Sequence, residues 1–197
     1  MGKLILHKFY TLLIYISKKI LFPIQDNIDF LPSTKLQKKD GVNYILRYSN
    51  SNVRDFIHQI KFSKNKKYFE YIGKELSHYL PTNTDIFILP VPQTKSRIRE
   101  RGYDVTHCIV KEIQKHINIQ YSHGILINIR KDVQSQIKDR EKRITSVADT
   151  IKILGDVKGK KFIIIDDVFT TGSTIREIKK IIEERGGEVV DCFCVAH

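Results

Sequence analysis

The stretch Phe162-Ile163-Ile164-Ile165-Asp166-Asp167-Val168-Phe169-Thr170-Thr171-Gly172-Ser173-Thr174 constrains this chain more than any other. Four large apolar residues, three of them β-branched, read as a strand buried on both faces. Two adjacent carboxylates follow. A short polar turn with one glycine comes next, and Ser173 or Thr174 can cap the helix that begins there. Where a strand hands over to a helix, unpaired backbone N–H groups and the positive end of the helix dipole point at one spot. Such a spot suits a phosphate. Gly172 lets the backbone come close to it, and the hydroxyls of Thr170, Thr171, Ser173 and Thr174 add donors. Asp166 and Asp167 would repel a phosphate. As acceptor-only groups beside a phosphate cradle they suit sugar hydroxyls or a Mg²⁺ ion. The ligand implied is a sugar phosphate held at both ends. The plain alternative, an ordinary buried strand with an acidic turn, leaves two carboxylates at a strand end without a reason.

The rest of the chain alternates strand and helix patterns. Val42–Tyr48 reads as a short strand. Asn52 can cap a helix whose stripe is Val53, Phe56, Ile57 and Ile60. A basic patch, Lys61–Lys67, leads to a second helix with Phe69, Ile72, Leu76 and Leu80 on one face, stopped by Pro81. Asp85–Val91 is the next strand. Lys95, Arg97, Arg99 and Arg101 then form a basic loop before Gly102. On an extended loop the alternating arginines share one side, and converging guanidiniums suit a pyrophosphate. Val105, Ile109, Val110, Ile113 and Ile117 make another helix stripe. Ile125–Ile129 and Ile151–Ile153 read as strands, and Val189–Val195 as the last one. Between them Lys131–Ser146 is polar and highly charged, and suits a loop that closes over bound substrate and excludes water. This alternation predicts an α/β fold, a mostly parallel twisted sheet flanked by helices, with its ligand crevice at the C-terminal strand ends.

Composition narrows the partners. Lys and Arg number 34 against 22 Asp and Glu, a net charge of +12. That balance favours phosphorylated ligands or polyanions, and equally describes a solvated basic surface. Cys108, Cys192 and Cys194 make no paired framework, so they pack as small apolar groups in a reducing, cytoplasmic setting. The N-terminal residues 4–22 are apolar on average. His7, Lys8, Lys18 and Lys19 leave Phe9–Ile16 as the longest clean run, too short for a transmembrane segment. Phe9, Leu12, Leu13, Ile16 and Ile20 instead make one helical stripe. The expected organisation is an N-terminal helix and irregular segment over 1–41, with Pro23, Pro32 and Asp40-Gly41 as breakers, followed by the α/β domain over 42–197.

The central stretch resembles the 13-residue signature of type I phosphoribosyltransferases. The resemblance implies that Asp166 and Asp167 are the catalytic pair, binding the ribose hydroxyls of phosphoribosyl pyrophosphate (PRPP). Thr170, Thr171, Gly172, Ser173 and Thr174 would hold the 5′-phosphate. Lys95, Arg97, Arg99 and Arg101 would face the pyrophosphate. Mg²⁺ would arrive with PRPP rather than through direct protein ligands.

Further blocks resemble the ComF family, which is linked to competence for DNA uptake. Val91-Pro92 with Arg97-Ile98-Arg99-Glu100-Arg101-Gly102-Tyr103 matches its Pro-Val-Pro and Arg-Glu-Arg-Gly-Phe-Asn block. Val53-Arg54 through Ile60-Lys61-Phe62 matches its Lys-Phe block. Gln134 or Gln136, with Arg143 and Ser146-Val147, is similar to its mobile-loop block, and Arg140 lies in the same charged loop. The chain departs from the pattern at Asp104, Val105 and Ser146, and in the glutamine spacing. ComF proteins usually begin with a four-cysteine zinc ribbon. Leu21-Phe22-Pro23 resembles its lead-in, but no cysteine follows, so no zinc is expected.

The resemblance implies a PRPP- and Mg²⁺-binding protein associated with DNA uptake, with the phosphoribosyl acceptor unspecified. Two other readings stay open at this point. One is a non-catalytic module that senses PRPP, or handles single-stranded DNA with its basic face and the aromatics Tyr68, Phe69 and Tyr71, alongside other competence proteins. The other is a nucleobase-salvage phosphoribosyltransferase.

Overall fold

The structure is a computed structural model describing residues 31–82, 85–122, 124–128 and 150–197. Leu31–His197 forms one compact unit. The N-terminal stripe of Phe9–Ile20 and the loop residues Gln134, Gln136, Arg140 and Arg143 lie outside the described residues.

In chain order the elements are β1 (Gln37–Lys39), β2 (Val42–Leu46), α1 (Ser51–Phe62), α2 (Lys66–Ser77), β3 (Ile86–Pro90), α3 (Lys95–Arg101), α4 (Val105–Ile113), β4 (Gln120–Tyr121), β5 (Leu126–Asn128), β6 (Ile151–Ile153), β7 (Lys161–Val168), α5 (Ser173–Glu183) and β8 (Glu188–Ala196). Six strands make one sheet in the order β1-β2-β8-β7-β3-β4. Only the β1 edge is antiparallel; β2, β8, β7, β3 and β4 run parallel. β5 and β6 pair antiparallel as a separate ribbon, Leu126 opposite Ile153.

The sheet is organised as a doubly covered parallel strand demands. Phe162, Ile163, Ile164 and Ile165 in β7 are each no more than 1% exposed. Alternation sends Phe162 and Ile164 to a core shared with Ile175, Ile178 and Ile182 of α5 and with Cys192 and Cys194 of β8. Ile163 and Ile165 take the opposite face, where α4 packs on β3 and β7 and α2 packs on α4. Each such side chain contributes about 1.5–3 kcal/mol on burial. The cysteines behave as apolar filler. Burial pushes the Cys192 thiol up to about 11, and all three thiols are unpaired with one another.

Helix α2 lies close against α4 at Gly73. A Cβ there would sit 2.4 Å from Glu112 Cβ and 2.9 Å from its carbonyl carbon, atoms that cannot swing aside. Gly73→Ala is therefore expected to destabilise the protein by about 1–3 kcal/mol through overpacking, although alanine is the better helix former by about 1 kcal/mol. Thermal unfolding checks this; a raised Tm would mean that the helices part at little cost.

Some local readings change. Residues 37–39, read as part of an irregular segment, form β1 because Gln37, Lys38 and Lys39 pair with Tyr44, Asn43 and Val42. The cap of α1 is Asn50, which accepts from Asn52 N at 2.9 Å, not Asn52 itself. Tyr68 and Phe69 are 6% and 5% exposed. Tyr71 is half-buried and its hydroxyl donates to the Pro32 carbonyl. Tyr68 and Phe69 belong to the core, so these two rings offer no stacking platform for bases.

Candidate functional site

Parallel strands place their C-terminal ends along one edge of the sheet. The end of β7 delivers Asp166 and Asp167 there, still within the strand. On one side Asp166 registers with Cys194 of β8. On the other, Pro90 of β3 registers with Ile165, and Val91 N–H donates to Ile165 O at 2.8 Å. Both acids are half-buried. Each uses Oδ1 to accept the next backbone N–H, Asp167 N and Val168 N, at 2.8 Å. These bonds fix the carboxyl orientations.

The acids differ electrostatically. Burial, and next the adjacent Asp167 carboxylate, push the Asp166 carboxyl well above the usual carboxylate range, while Lys61 pulls it back. Asp167 is ion-paired to Lys61, Nζ to Oδ2, at 3.1 Å. Lys61 sits in the last turn of α1; it was not among the expected site residues, and only the Lys-Phe block and the basic patch Lys61–Lys67 marked it. Lys61→Met is expected to destabilise the protein by about 1–2 kcal/mol, because a carboxylate only 15% exposed loses its countercharge. Urea unfolding measures it. The Lys61→Met/Asp167→Asn pair is expected to recover about 1 kcal/mol of that loss, and strict additivity would show that the ion pair contributes nothing.

The turn after β7 is shaped from beneath. Phe169 is 4% exposed and its backbone N–H donates to Ala196 O at 2.9 Å. Its carbonyl bonds His197 Nδ1 at 2.9 Å, and its ring lies 5.1 Å from the His197 ring. Thr170 and Thr171 are exposed above this plug. Gly172 then takes a left-handed conformation, φ 69° and ψ 4°, and is itself the N-cap of α5 with no side-chain cap bond. The expected cap by Ser173 or Thr174 is thus corrected: both lie inside the first turn, because the left-handed glycine already redirects the chain. Thr171 and Ser173 hydroxyls bond each other at 3.0 Å, and Arg176 Nη2 donates to Thr171 O at 2.7 Å. Ser173 N–H donates weakly to Thr171 Oγ1 at 3.4 Å, and Gly172 itself supplies no side-chain cap, so the start of α5 faces the turn.

The basic segment is not an extended loop. Lys95–Arg101 is a seven-residue helix, with Thr94 Oγ1 accepting from Arg97 N at 3.3 Å and Gly102 closing it at φ 78°. Helical spacing puts Arg97 and Arg101 on one face, with Lys95 and Arg99 on another. The single-sided convergence expected from alternation is therefore overturned. Lys95, Arg97 and Arg99 are exposed. Arg101 is half-buried; its Nη1 donates to Gln93 Oε1 at 2.9 Å, and the guanidinium lies 5.3 Å over the Phe62 ring. Tyr103 donates to Ile60 O at 2.7 Å, and Lys64 Nζ stands 5.9 Å from the Tyr103 ring. The structure thus folds the Lys61-Phe62 block onto the Arg101-Gly102-Tyr103 block, with Lys61, Lys64 and Arg101 around the contact.

Residues 109–197 match the family model described as the phosphoribosyl transferase domain. The C-terminal part of the chain is thus similar to phosphoribosyl transferase domains, and the described residues form an α/β fold with a mostly parallel sheet. The chain is 27% identical over 174 residues to competence protein ComFC of Streptococcus pneumoniae, covering 82% of this chain and 74% of that one. It is 23% identical over 146 residues to DNA utilization protein YhgH of Escherichia coli, covering 71% of this chain and 64% of that protein. A shorter likeness, 50% identity over 44 residues, links it to an orotate phosphoribosyltransferase of Methanopyrus kandleri, over 22% of this chain and 24% of that enzyme.

Proposed function

We propose that this chain binds PRPP together with Mg²⁺ and transfers or senses its phosphoribosyl group in the cytoplasm, in a role tied to DNA uptake or use. The observation that carries the reading is the end of β7: two oriented, half-buried carboxylates followed at once by a left-handed glycine that opens a helix N-terminus. Asp166 and Asp167 accept hydrogen bonds from ribose hydroxyls. The first-turn N–H groups of α5 and the hydroxyls of Thr170, Thr171, Ser173 and Thr174 receive the 5′-phosphate. Arg97 and Arg101, which share one face of α3, receive the pyrophosphate and favour the charge that develops as it departs, while Lys95 and Arg99 on the other face add positive charge to the approach. The names of the relatives, a competence protein and a DNA utilization protein, supply the DNA connection.

The donor set fits an ion carried by its ligand. Asp166 and Asp167 offer two adjacent carboxylates at the end of β7. Mg²⁺ keeps several waters and phosphate oxygens and needs one or two carboxylates. When bound, it neutralises charge on the diphosphate.

Calorimetry on the full chain tests the reading, with Mg²⁺-PRPP, ribose 5-phosphate and pyrophosphate as separate titrants. Micromolar binding of PRPP, about −8 kcal/mol, with weaker binding of either half, supports it. No heat from folded protein at millimolar PRPP overturns it.

A further inference from the structure

The ion pair between Lys61 and Asp167 is built differently from those along a helix surface. On α5, Lys179 with Glu183 and Lys180 with Glu184 pair one turn apart, and all four side chains stand about half in water. Such pairs contribute little. Lys61 instead reaches from the last turn of α1 to the end of β7, Nζ to Oδ2 at 3.1 Å, with the two side chains only 22% and 15% exposed.

The lysine is delivered to this place rather than left to wander. A cation suits the last turn of a helix, where unpaired carbonyls gather. On one side of Lys61, Ile60 O accepts from Tyr103 Oη at 2.7 Å, and Tyr103 Oη accepts from Lys64 N at 3.4 Å. On the other side, Phe62 packs on the His58 ring at 4.7 Å and carries the Arg101 guanidinium at 5.3 Å. Both sequence neighbours of Lys61 are thus pinned to the end of α3 and its exit. Lys64 takes φ 55° in the turn that follows, a costly backbone that persists only where the surroundings impose it.

The electrostatic consequence concerns cations. Two adjacent carboxylates with no countercharge would attract a hard divalent ion. Here Asp167 already holds an ammonium, and Lys64 and Arg101 border the same corner. A free divalent ion must displace one cation and then sit beside two others. An ion carried on a diphosphate brings surplus negative charge with it. The flexible lysine stem lets the ammonium turn from Asp167 toward that anion.

We propose that Lys61 is a specificity-determining positioning residue: it occupies Asp167 as a resident countercharge, keeps free divalent cations off the Asp166–Asp167 pair, and yields to a divalent ion that arrives on a phosphorylated ligand. The yielding rests on the PRPP reading given above. The exclusion of the free ion stands on the ion pair alone.

The test titrates the full chain with Mn²⁺, which suits carboxylate oxygens as Mg²⁺ does and whose aqueous EPR signal falls as it binds. Wild type is expected to bind free Mn²⁺ only at millimolar concentration or above. Lys61→Met is expected to bind it at least about tenfold more tightly, because the carboxylates lose a positive charge in direct contact. Lys61→Arg keeps the charge and is expected to behave as wild type. Lys61→Met/Asp167→Asn is expected to lose the gain, which places it at the acid pair. A lysine with a merely structural role would lower stability on removal without raising affinity for the ion. Calorimetry adds the ligand: the preference for Mg²⁺-PRPP over free Mg²⁺ is expected to fall by at least about tenfold in Lys61→Met. The idea is overturned if Lys61→Met binds Mn²⁺ no more tightly than wild type, if Lys61→Arg binds it as tightly as Lys61→Met, or if wild type already binds it at micromolar concentration. Lys61→Gln decides the matter should Lys61→Met not fold. Folded wild type that gives no heat with Mg²⁺-PRPP overturns the proposed function and the yielding with it, while the Mn²⁺ titrations still decide the exclusion.

Discussion

Asp166→Asn/Asp167→Asn is expected to abolish Mg²⁺-PRPP binding, whereas Asp166→Asn alone is expected to stabilise the ligand-free protein at neutral pH. The first effect follows from acceptor chemistry. A hydrogen bond to a charged group contributes about 1.5–3 kcal/mol, so losing two carboxylates costs at least a hundredfold in affinity. The second follows from the burial of Asp166. Its folded-state carboxyl is held well above the ordinary carboxylate range, first by burial and then by Asp167. A raised carboxylate binds its proton more tightly in the folded state. Its stabilising effect is complete below the ordinary range and is lost as pH rises through the raised value. Asparagine keeps the Oδ1 acceptor for Asp167 N–H but carries no charge, so it escapes that loss. The expected urea profile has Asp166→Asn above wild type at pH 7, with the gap closing in acid. Asp167→Asn brings no such gain, because it strips Lys61 of its partner. A lower urea midpoint for Asp166→Asn at pH 7 would show that Asp166 is well solvated and that its burial has no functional meaning. Gaining stability by losing the ligand is the expected signature of a site that holds charge against the interests of the fold.

What could be read from sequence, and what could not, divides along local and non-local causes. Strand β7 was legible because four large apolar residues in a row admit only burial on both faces. The helix stripes on α1, α2 and α4 were legible through their i, i+3 and i+4 spacing, and Val53, Phe56, Ile57, Ile60, Ile72, Leu76, Ile109 and Ile113 are all buried. Helix α3 was misread although its signals were present. Thr94 and Gly102 bracket it as cap and stop, but the alternation of arginines suggested an extended loop, and seven residues are too few for a hydrophobic period to compete. β1 and β4 have three and two residues, and each exists because a neighbouring strand offers an edge. Nothing in Gln37-Lys38-Lys39 announces that. The two acids were legible as a pair. Their inequality was not, because it depends on Lys61 arriving from the end of a distant helix.

Gly172→Ala is expected to cost about 2–4 kcal/mol of stability and to weaken Mg²⁺-PRPP binding by on the order of a hundredfold, the larger part of both effects coming from one ring. The backbone contribution is the smaller one. At φ 69° a residue with a Cβ loses about 1–2 kcal/mol relative to glycine. The added Cβ also meets Phe169 Cε2 at 2.4 Å and Cζ at 2.8 Å, and Arg176 Nη1 at 2.9 Å. Arg176 is exposed and can yield by giving up its bond to Thr171 O. Phe169 cannot. Its ring is 4% exposed and lies against His197, which in turn bonds the Phe169 carbonyl and stands 5.3 Å from the Tyr44 ring. The turn must therefore lift away from the plug, by overpacking that costs about 1–3 kcal/mol. A lifted turn no longer aims the first N–H groups of α5 at one point, which is why binding falls together with stability. Thr171→Ala supplies the contrast. It removes an exposed hydroxyl bonded to Ser173 Oγ, changes stability by less than about 0.5 kcal/mol, and is expected to weaken PRPP binding only a few-fold. Urea unfolding and calorimetry on both variants separate the causes. If Gly172→Ala unfolds like wild type and binds PRPP normally, the turn is pliable and the phosphate cradle does not depend on the Phe169 plug. If it loses stability but keeps affinity, the phosphate is held elsewhere than at the start of α5.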